Sequence, residues 1–196
     1  MRWCHKPRAQ YLNGQETEEN IKAAFLELIR EKDIDDITIS DITRKACIDR
    51  TTFYHHFLRI DDLVASLAQE MVWEISKVIL KTGKSAITAF PHVVRWLETE
   101  LSESPCREIT QSKYWCKMCE RIEEAYLIFC SADKRLMQHP EMESRIMAQV
   151  LFLLGGTLSS LAAMVGERFQ GEEEDLIALL MEEATQLELD VQELCE

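Results

Sequence analysis

Apolar residues recur at helical spacing along most of the chain, and this pattern predicts helices rather than strands. An early stripe consists of Ile21, Phe25 and Leu28, preceded by Thr17 as a candidate N-cap. From residue 61 onward there is no convincing strand pattern, and a few breakers divide the sequence into long helical segments. The pattern therefore predicts an all-α fold.

The segment 38–63 packs two short helices and a tight turn into about 25 positions. Thr38 is a favourable N-cap and Asp41 completes a capping box, so one helix is predicted over 39–46. Asp49 is a second N-cap, followed by Phe53 and Phe57 four residues apart on one face. A helix this short needs neighbours to hold its apolar face, which leaves its polar side exposed. This is the layout of a DNA-reading helix-turn-helix.

Breakers and charge divide the chain into three predicted regions. Residues 1–15 form a flexible basic tail, 16–60 the helix-turn-helix domain, and 61–196 a larger helical domain. In the larger domain the predicted helices are 61–80, ended by Thr82-Gly83, and then 85–103, 108–132, 141–169 and 172–194. The segment 137–140 marks a bend.

Residues 17–67 resemble the DNA-binding domain of the tetracycline-repressor (TetR/AcrR) family. The residues that carry the resemblance are Thr38, Thr52-Phe53-Tyr54, His56-Phe57 and Asp62-Leu63. The resemblance implies a three-helix N-terminal headpiece and a larger C-terminal helical domain for ligand binding and dimerisation. It also implies a homodimeric, ligand-released repressor that binds a palindromic operator in double-stranded DNA.

The resemblance also assigns contacts on the headpiece. It places three side chains on base edges, Arg50, Thr51 and His55, and five on sugar or phosphate, Thr38, Ser40, Thr52, Tyr54 and His56. Their chemistry fits these roles, since Arg can fork onto guanine O6 and N7, and hydroxyl groups reach phosphates. The two phenylalanines are anchors.

The sequence departs from the family pattern at two places. Where the family has a small cap residue and a phosphate-binding Lys, this chain has Arg59 and Ile60. Arg59 supplies that cation one position early, and the cap is lost or moved to Asp61. Cys47 stands at a turn position where Gly is common, at a cost of about 1 kcal/mol if φ is positive.

The last two helices carry more apolar surface than one chain can cover. The segment 150–165 is apolar nearly all round, which indicates either a subunit interface or a monomer core, and the interface is favoured. The resemblance implies a four-helix bundle across a two-fold axis. The candidate interface residues are Leu151, Gly155, Gly156, Leu158, Leu176, Leu180 and Leu187.

Aromatic and Met side chains between the headpiece and the last helices are candidates for an effector pocket. A single aromatic or Met residue at helical spacing is more often part of a hydrophobic core than of a ligand site. As a set, these residues favour an apolar or aromatic ligand. The candidates are Met71, Trp73, Phe90, Trp96, Tyr114, Trp115, Met118, Tyr126, Phe129, Met147 and Phe152.

The net charge of −13 is unevenly distributed. Residues 1–60 hold ten Lys and Arg against ten Asp and Glu, whereas 61–196 hold twelve against twenty-five. The acidic charge of 61–196 has two possible roles. It either orients the headpiece toward DNA by repelling the duplex, or it simply keeps the helices soluble. The basic residues Arg2, Lys6 and Arg8 are either an arm that touches DNA or a disordered terminus, and the latter is favoured.

The sequence lacks the motifs that are typical of other functional classes. No run of 18 apolar residues and no signal peptide is found, so a cytoplasmic protein without a membrane span is expected. Seven cysteines show no disulfide rhythm, and the Cys116/Cys119 pair is interpreted as packing rather than as a redox or metal site. No catalytic, metal or cofactor motif is present. The alternative to a DNA-binding regulator is a family relative that has lost operator binding and serves as a dimeric ligand- or protein-binding module.

Overall fold

The computed structural model describes residues 14–103, 106–166 and 173–193, and every regular element in these ranges is helical. The predicted basic tail at Arg2, Lys6 and Arg8 lies outside the described residues. The chain divides into two compact units, of which the first ends at Leu67 and the second begins at Ala68. The helices are α1 (Gly14–Glu31), α2 (Ile39–Lys45), α3 (Arg50–His56), α4 (Ile60–Thr82), α5 (Phe90–Glu103), α6 (Cys106–Ile109), α7 (Trp115–Ser131), α8 (Lys134–Gln138), α9 (Pro140–Val165) and α10 (Glu173–Glu193).

The first unit is built on side chains that the periodicity predicts to be buried. Helix α1 packs against α2, and α2 against α3. Ile21 and Phe25 of α1, Ile42 of α2 and Phe53 of α3 are all fully buried. The side-chain amide of Asn20 donates a hydrogen bond of 2.9 Å to the Ala46 carbonyl, so α1 also caps the C-terminal end of α2.

The start of the first helix differs from the sequence prediction. Helix α1 begins at Gly14, and Thr17 lies inside it and is buried rather than serving as the N-cap. The residues between them, Gln15 and Glu16, are good helix formers, and Glu16 stands favourably in the first turn beside the positive end of the helix dipole. The helix therefore extends one turn further than the apolar stripe indicates. The second helix agrees with its predicted range of 39–46, with Ala46 as C-cap.

The second unit is organised around α9, which packs against α5, α7, α8 and α10. Four side chains spaced along one face of α9 are buried to at least 99%: Val150, Leu154, Leu158 and Leu161. On the α7 side the core includes Tyr126, whose hydroxyl donates a hydrogen bond of 2.6 Å to the Ala86 carbonyl. The hydrophobic core of this unit is therefore formed by α9 together with the helix faces that pack against it from several sides.

Two helix predictions for the second unit were wrong. The helix predicted over 85–103 begins at Phe90, where Pro91 occupies an early helical position that suits proline. The single helix predicted over 108–132 is divided into α6 and α7. The Ser112 hydroxyl donates to the Ile109 carbonyl and accepts the Tyr114 N–H, so it stabilises a turn that the apolar spacing does not reveal. The short α8 occupies the start of the predicted bend.

Helix α9 bears on the expectation that no segment of the chain spans a membrane. The segment Met142–Val165 is long and apolar enough to cross a membrane by length and composition, with a mean hydropathy of 1.7. Core helices pass the same test, and α9 lies at the centre of its unit. Within the described structure 39% of the window is buried, and the side chains of Leu151 and Phe152 are exposed.

Candidate nucleic-acid interface

The helix-turn-helix segment is fixed by two side-chain caps. At the start of α2 the Asp41 N–H donates 3.2 Å to the Thr38 hydroxyl, while Asp41 accepts the Thr38 N–H at 3.0 Å. At the start of α3 the Asp49 carboxylate accepts the Thr52 N–H at 2.6 Å. Both caps satisfy N–H groups that a helix cannot pair internally, and they set where each short helix begins.

The turn between α2 and α3 is a Schellman motif with Cys47 in the left-handed region, at φ +54°. The Ile48 N–H donates 3.0 Å to the Thr43 carbonyl, and the Cys47 N–H donates 3.3 Å to the Arg44 carbonyl. The sequence predicts an energetic cost at Cys47 if its φ is positive, and φ is positive here. The residue carries the strain of a Cβ where glycine would carry none.

Helix α3 has one buried side, which anchors it to the unit, and one exposed side. Phe53 is fully buried and Phe57 is 5% exposed, and their rings lie 6.0 Å apart. Arg50, Thr51 and His55 are exposed on the other faces. The three residues that the resemblance assigns to base edges are thus all accessible.

Three of the five predicted phosphate-contacting residues are partly engaged within the chain. Thr38 is exposed, but its hydroxyl is bonded to Asp41 in the capping box at 2.7 Å. Thr52 is half-buried above the Asp49 cap. His56 is half-buried and lies beside Phe57, with ring centroids 6.5 Å apart. These three are less available to a partner than the base-edge set.

Of the other two members of that set, Tyr54 is the more available. Tyr54 is 48% exposed, with the edge of its ring on Phe53 at 5.8 Å. Ser40 is half-buried and accepts a hydrogen bond from the Arg50 guanidinium. This bond joins α2 to the first residue of α3, and spacing alone does not reveal it.

The sequence departs from the family pattern at Arg59 and Ile60, and Asp62 supplies the hydrogen-bond acceptor at the start of the next helix. Helix α4 begins at Ile60, and the Asp62 carboxylate accepts the Arg59 N–H at 3.0 Å. The compensating acid is therefore Asp62 rather than the predicted Asp61. The Arg59 guanidinium is exposed and lies 3.9 Å from Asp62, so the cation remains accessible.

Asp41 is the electrostatic centre of the segment. The Lys32 ammonium, 2.6 Å from Asp41, together with the Thr38 hydroxyl and N–H, holds the pKa of this carboxyl well below its usual range. Arg44, also 2.6 Å from Asp41, was missed as a site candidate. It stands one helical turn after Ser40, and 76% of its side chain is exposed. That spacing is the signal that places it beside the predicted contacts.

The predicted pocket residues differ widely in exposure. Trp73 and Phe152 are 63% and 79% exposed, whereas Phe90, Met118 and Tyr126 are 1% exposed. The rings of Phe90 and Tyr126 meet edge to face at 5.6 Å, as core residues do. Met71 and Tyr114 are also buried, and Trp96, Trp115, Phe129 and Met147 are half-buried. Of two described surface grooves, one includes Trp96 and the other Phe152, and neither includes another member of the set.

The candidate interface residues fall into two groups. Leu158, Leu180 and Leu187 are at most 9% exposed and fill the core of the second unit, so they do not face a partner. Leu151 is 38% exposed and Leu176 is half-buried. A Cβ at Gly155 would lie 3.2 Å from Glu123, while one at Gly156 would meet open space. The exposed apolar side of α9 and α10 includes Phe152, Leu179 and Leu189, of which Leu179 and Leu189 were not predicted.

The two thiols of the Cys116/Cys119 pair lie in different surroundings. Burial, followed by the nearby Glu123, raises the pKa of Cys119 to about 12, so little thiolate is present at neutral pH. Cys116 is exposed. Within the three described ranges, no group of three or more His, Cys, Asp or Glu residues is placed to hold a metal ion.

This arrangement, with a capped α2, a tight turn and an exposed α3, defines a helix-turn-helix protein. Residues 21–67 match the family described as "Bacterial regulatory proteins, tetR family". A 60-residue segment is 45% identical to an uncharacterized HTH-type transcriptional regulator, YxbF, of Bacillus subtilis (strain 168); it covers 30% of this chain and 16% of that relative. Residues 21–67 thus form a helix-turn-helix domain of the tetR family of bacterial regulatory proteins.

Similar solved structures extend the likeness in fold across both units. A TetR transcriptional regulator from Rhodococcus sp. RHA1 has a TM-score of 0.56 at 16% identity, over 88% of this chain and 96% of that one. Thermus thermophilus FadR, a TetR-family transcriptional repressor solved with lauroyl-CoA, has a TM-score of 0.52 at 16% identity, over 88% and 93%. At 16% identity, the likeness to these two structures concerns the fold.

Proposed function

We propose that the chain is a cytoplasmic repressor that binds a palindromic DNA operator as a homodimer and is released by a small-molecule effector. Residues 16–60 serve as the DNA-binding domain and 61–196 as the ligand-binding and dimerisation domain. The observation that carries the proposal is the accessible side of α3, with Arg50, Thr51 and His55 exposed over two buried phenylalanines. A short helix presented in this way can enter a major groove.

The charge distribution is compatible with this role. The first unit holds ten Lys and Arg against twelve Asp and Glu, a net −2, whereas the second holds twelve against twenty-three, a net −11. The acids of the first unit that are paired or used as caps include Glu31, Asp41, Asp49 and Asp62. The acidic surplus therefore lies mainly outside the DNA-reading unit, and it repels DNA from the rest of the chain.

Dimerisation is proposed through the exposed apolar side of α9 and α10. Phe152 is 79% exposed, and Leu179 and Leu189 are about half exposed. Gly156 leaves open space beside them, so another helix can approach closely. The occupant that we propose is the same surface of a second copy, because one short reading helix contacts few bases and a symmetric pair reads two half-sites.

We propose that the effector releases the protein from DNA through α4. This helix runs without a break from Ile60 in the first unit to Thr82 in the second. A ligand that binds the second unit shifts the population of α4 conformations and thereby lowers the affinity for the operator. A saturating ligand that left operator affinity unchanged would contradict this part of the proposal.

A fluorescence titration against DNA from upstream of its own gene, run at two salt concentrations, tests DNA binding. Operator affinity should fall steeply with salt because phosphate contacts release counterions. Arg50→Ala should weaken operator binding by about 1 to 3 kcal/mol and binding to random DNA very little. Arg30→Ala, which removes an exposed arginine of α1, is the matched control and should leave specificity intact. Equal losses on both DNAs would remove Arg50 from base reading.

A second candidate function is a dimeric ligand- or protein-binding module without operator binding. Ile60 favours it, because a half-buried apolar side chain stands where the family has a phosphate-binding Lys. In that case the protein dimerises but shows no salt-dependent preference for its upstream DNA. The same titration therefore separates the two functions.

A further inference from the structure

The second unit carries a basic groove between the C-terminal end of α4 and one side of α5. Its volume is about 540 Å³, which lies within the range of small-molecule sites. Lys81 and Val78 line it from α4, and Lys84 from the segment that follows. The other wall is formed by α5, where three lining side chains share one helix face: His92, Arg95 and Trp96.

The cations of this groove are exceptional for the unit in which they lie. The unit has a net charge of −11, so carboxylates are abundant, yet none of the described residues that line the groove is an Asp or a Glu. Lys84 is paired with Glu188 at 2.7 Å. Over the described ranges, the side chains of Lys81 and Arg95 form no ion pair. Lys81 and Arg95 therefore line the same groove without a carboxylate partner among the described residues, and a bound anion would relieve the repulsion between them.

The chemistry of the lining residues points to phosphate rather than to carboxylate alone. The planar guanidinium of Arg95 can donate two parallel hydrogen bonds to one phosphate, and a Lys ammonium can neutralise a second. Trp96, next to Arg95 and half-buried, offers an aromatic face for stacking. The threonine hydroxyls at the two ends, Thr82 and Thr99, are oriented by bonds to backbone carbonyls on their own helices.

We propose that this groove binds a small molecule with at least two phosphate groups and a planar ring, of the nucleoside diphosphate class. The phosphates lie against Lys81, Lys84 and Arg95, and the ring stacks on Trp96. This site does not depend on DNA binding. Its residues are separate from the apolar set predicted for an effector, except for Trp96.

Isothermal titration of the full chain with ADP tests the proposal. ADP should bind saturably, and Arg95→Gln and Lys81→Gln should each weaken binding about tenfold, the loss expected for a charge-assisted hydrogen bond. Arg121→Gln is the matched control, since it removes an exposed cation of α7 that does not line the groove. ADP should quench tryptophan fluorescence in the wild type and in Trp115→Phe, but not in Trp96→Phe.

Three further probes separate the parts of the proposed ligand. Inorganic pyrophosphate should bind more weakly than ADP, and adenosine should not bind measurably. Pyrophosphate that binds as tightly as ADP would remove the stacking role of Trp96. Binding to phosphatidic acid vesicles without ADP binding would assign the groove to a lipid headgroup and overturn the proposal. Absence of ADP binding at millimolar concentration, or equal losses in Arg95→Gln and Arg121→Gln, would also overturn it.

Discussion

The guanidinium of Arg50 donates a hydrogen bond to the hydroxyl oxygen of Ser40, which links the first residue of α3 to the exposed side of α2. Arg50 is exposed and has many accessible rotamers, so this bond restricts its side chain before any partner arrives. Preorganisation of this kind reduces the entropy lost on binding. The pair is therefore expected to act as one recognition unit.

A double-mutant cycle tests this unit. Ser40→Ala should weaken operator binding by about 0.5 to 1.5 kcal/mol, less than Arg50→Ala, because it removes the restraint and leaves the cation. The double variant should lose less than the sum of the two single losses, because the restraint is already gone in Arg50→Ala and only the phosphate contact assigned to Ser40 is lost in addition. Ser66→Ala is the control, since Ser66 bonds Glu18 in the same unit and its effect should add to that of Arg50→Ala. Additive losses for Ser40 and Arg50 would show that the bond is irrelevant to binding.

The positive φ at Cys47 predicts a stabilising substitution. Cys47→Gly should raise the free energy of unfolding by about 1 kcal/mol, because glycine adopts the left-handed conformation without a clash at Cβ. Cys47→Ala keeps the Cβ and should give no such gain. Urea denaturation of the two variants and the wild type measures the difference. An equal gain in both variants would assign the effect to loss of the thiol instead of relief of backbone strain.

The headpiece was predictable because its signals are local. Thr38, Asp41 and Asp49 cap helices through bonds that reach at most three residues, so sequence spacing reveals them. Phe53 on α3 and Phe57 at its C-cap are both large, apolar and buried, which leaves little choice of buried face. Thr17 failed as a cap because its neighbours favour helix as well, and no local rule shows which residue begins the helix.

The second unit was less predictable because its faces depend on contacts distant in sequence. Leu158 and Leu187 match the predicted interface stripe, yet both are buried within the chain. Phe152 and Tyr126 have the same chemistry for a pocket, but one is exposed and the other lies in the core. Periodicity identifies apolar faces and does not say which helix covers them. The basic groove was missed for the same reason, since Lys81 and Arg95 are 14 positions apart.

The pKa of Asp41 predicts a pH dependence for the first unit. Because Lys32 and Thr38 lower the pKa in the folded state, the stabilisation is fully present above the unfolded value of 3.8. It is lost as pH falls through the lower folded value. The melting temperature of Asp41→Asn should therefore lie below that of the wild type at pH 7 and pH 5, and the gap should close in stronger acid.

Asp36→Asn provides the comparison for this measurement, since Asp36 is an exposed carboxylate of the same unit. Its melting temperature should follow the wild-type curve at each pH. A gap for Asp41→Asn that stays constant down to pH 2 would indicate that the effect comes from lost packing rather than from the charge.

Phe152 is the position where the proposed dimer is most vulnerable. Replacing it by Glu places a charge within an apolar contact, which needs costly desolvation and repels the acidic partner unit. Phe152→Glu should elute as a monomer in size-exclusion chromatography with light scattering, and it should lose about tenfold or more in operator affinity because one reading helix replaces two. Its helical circular dichroism should be unchanged, since the side chain is 79% exposed.

Ile128→Glu is the matched control, because Ile128 is a similarly exposed apolar residue, 68%, but lies on α7. This variant should remain dimeric and should bind the operator as the wild type does. If Ile128→Glu dissociates the dimer and Phe152→Glu does not, the interface lies on α7, and the surface proposed on α9 and α10 is wrong. If the wild type is itself a monomer at micromolar concentration, two copies of α3 cannot be held at a fixed spacing, and recognition of a palindrome by this chain is excluded under those conditions.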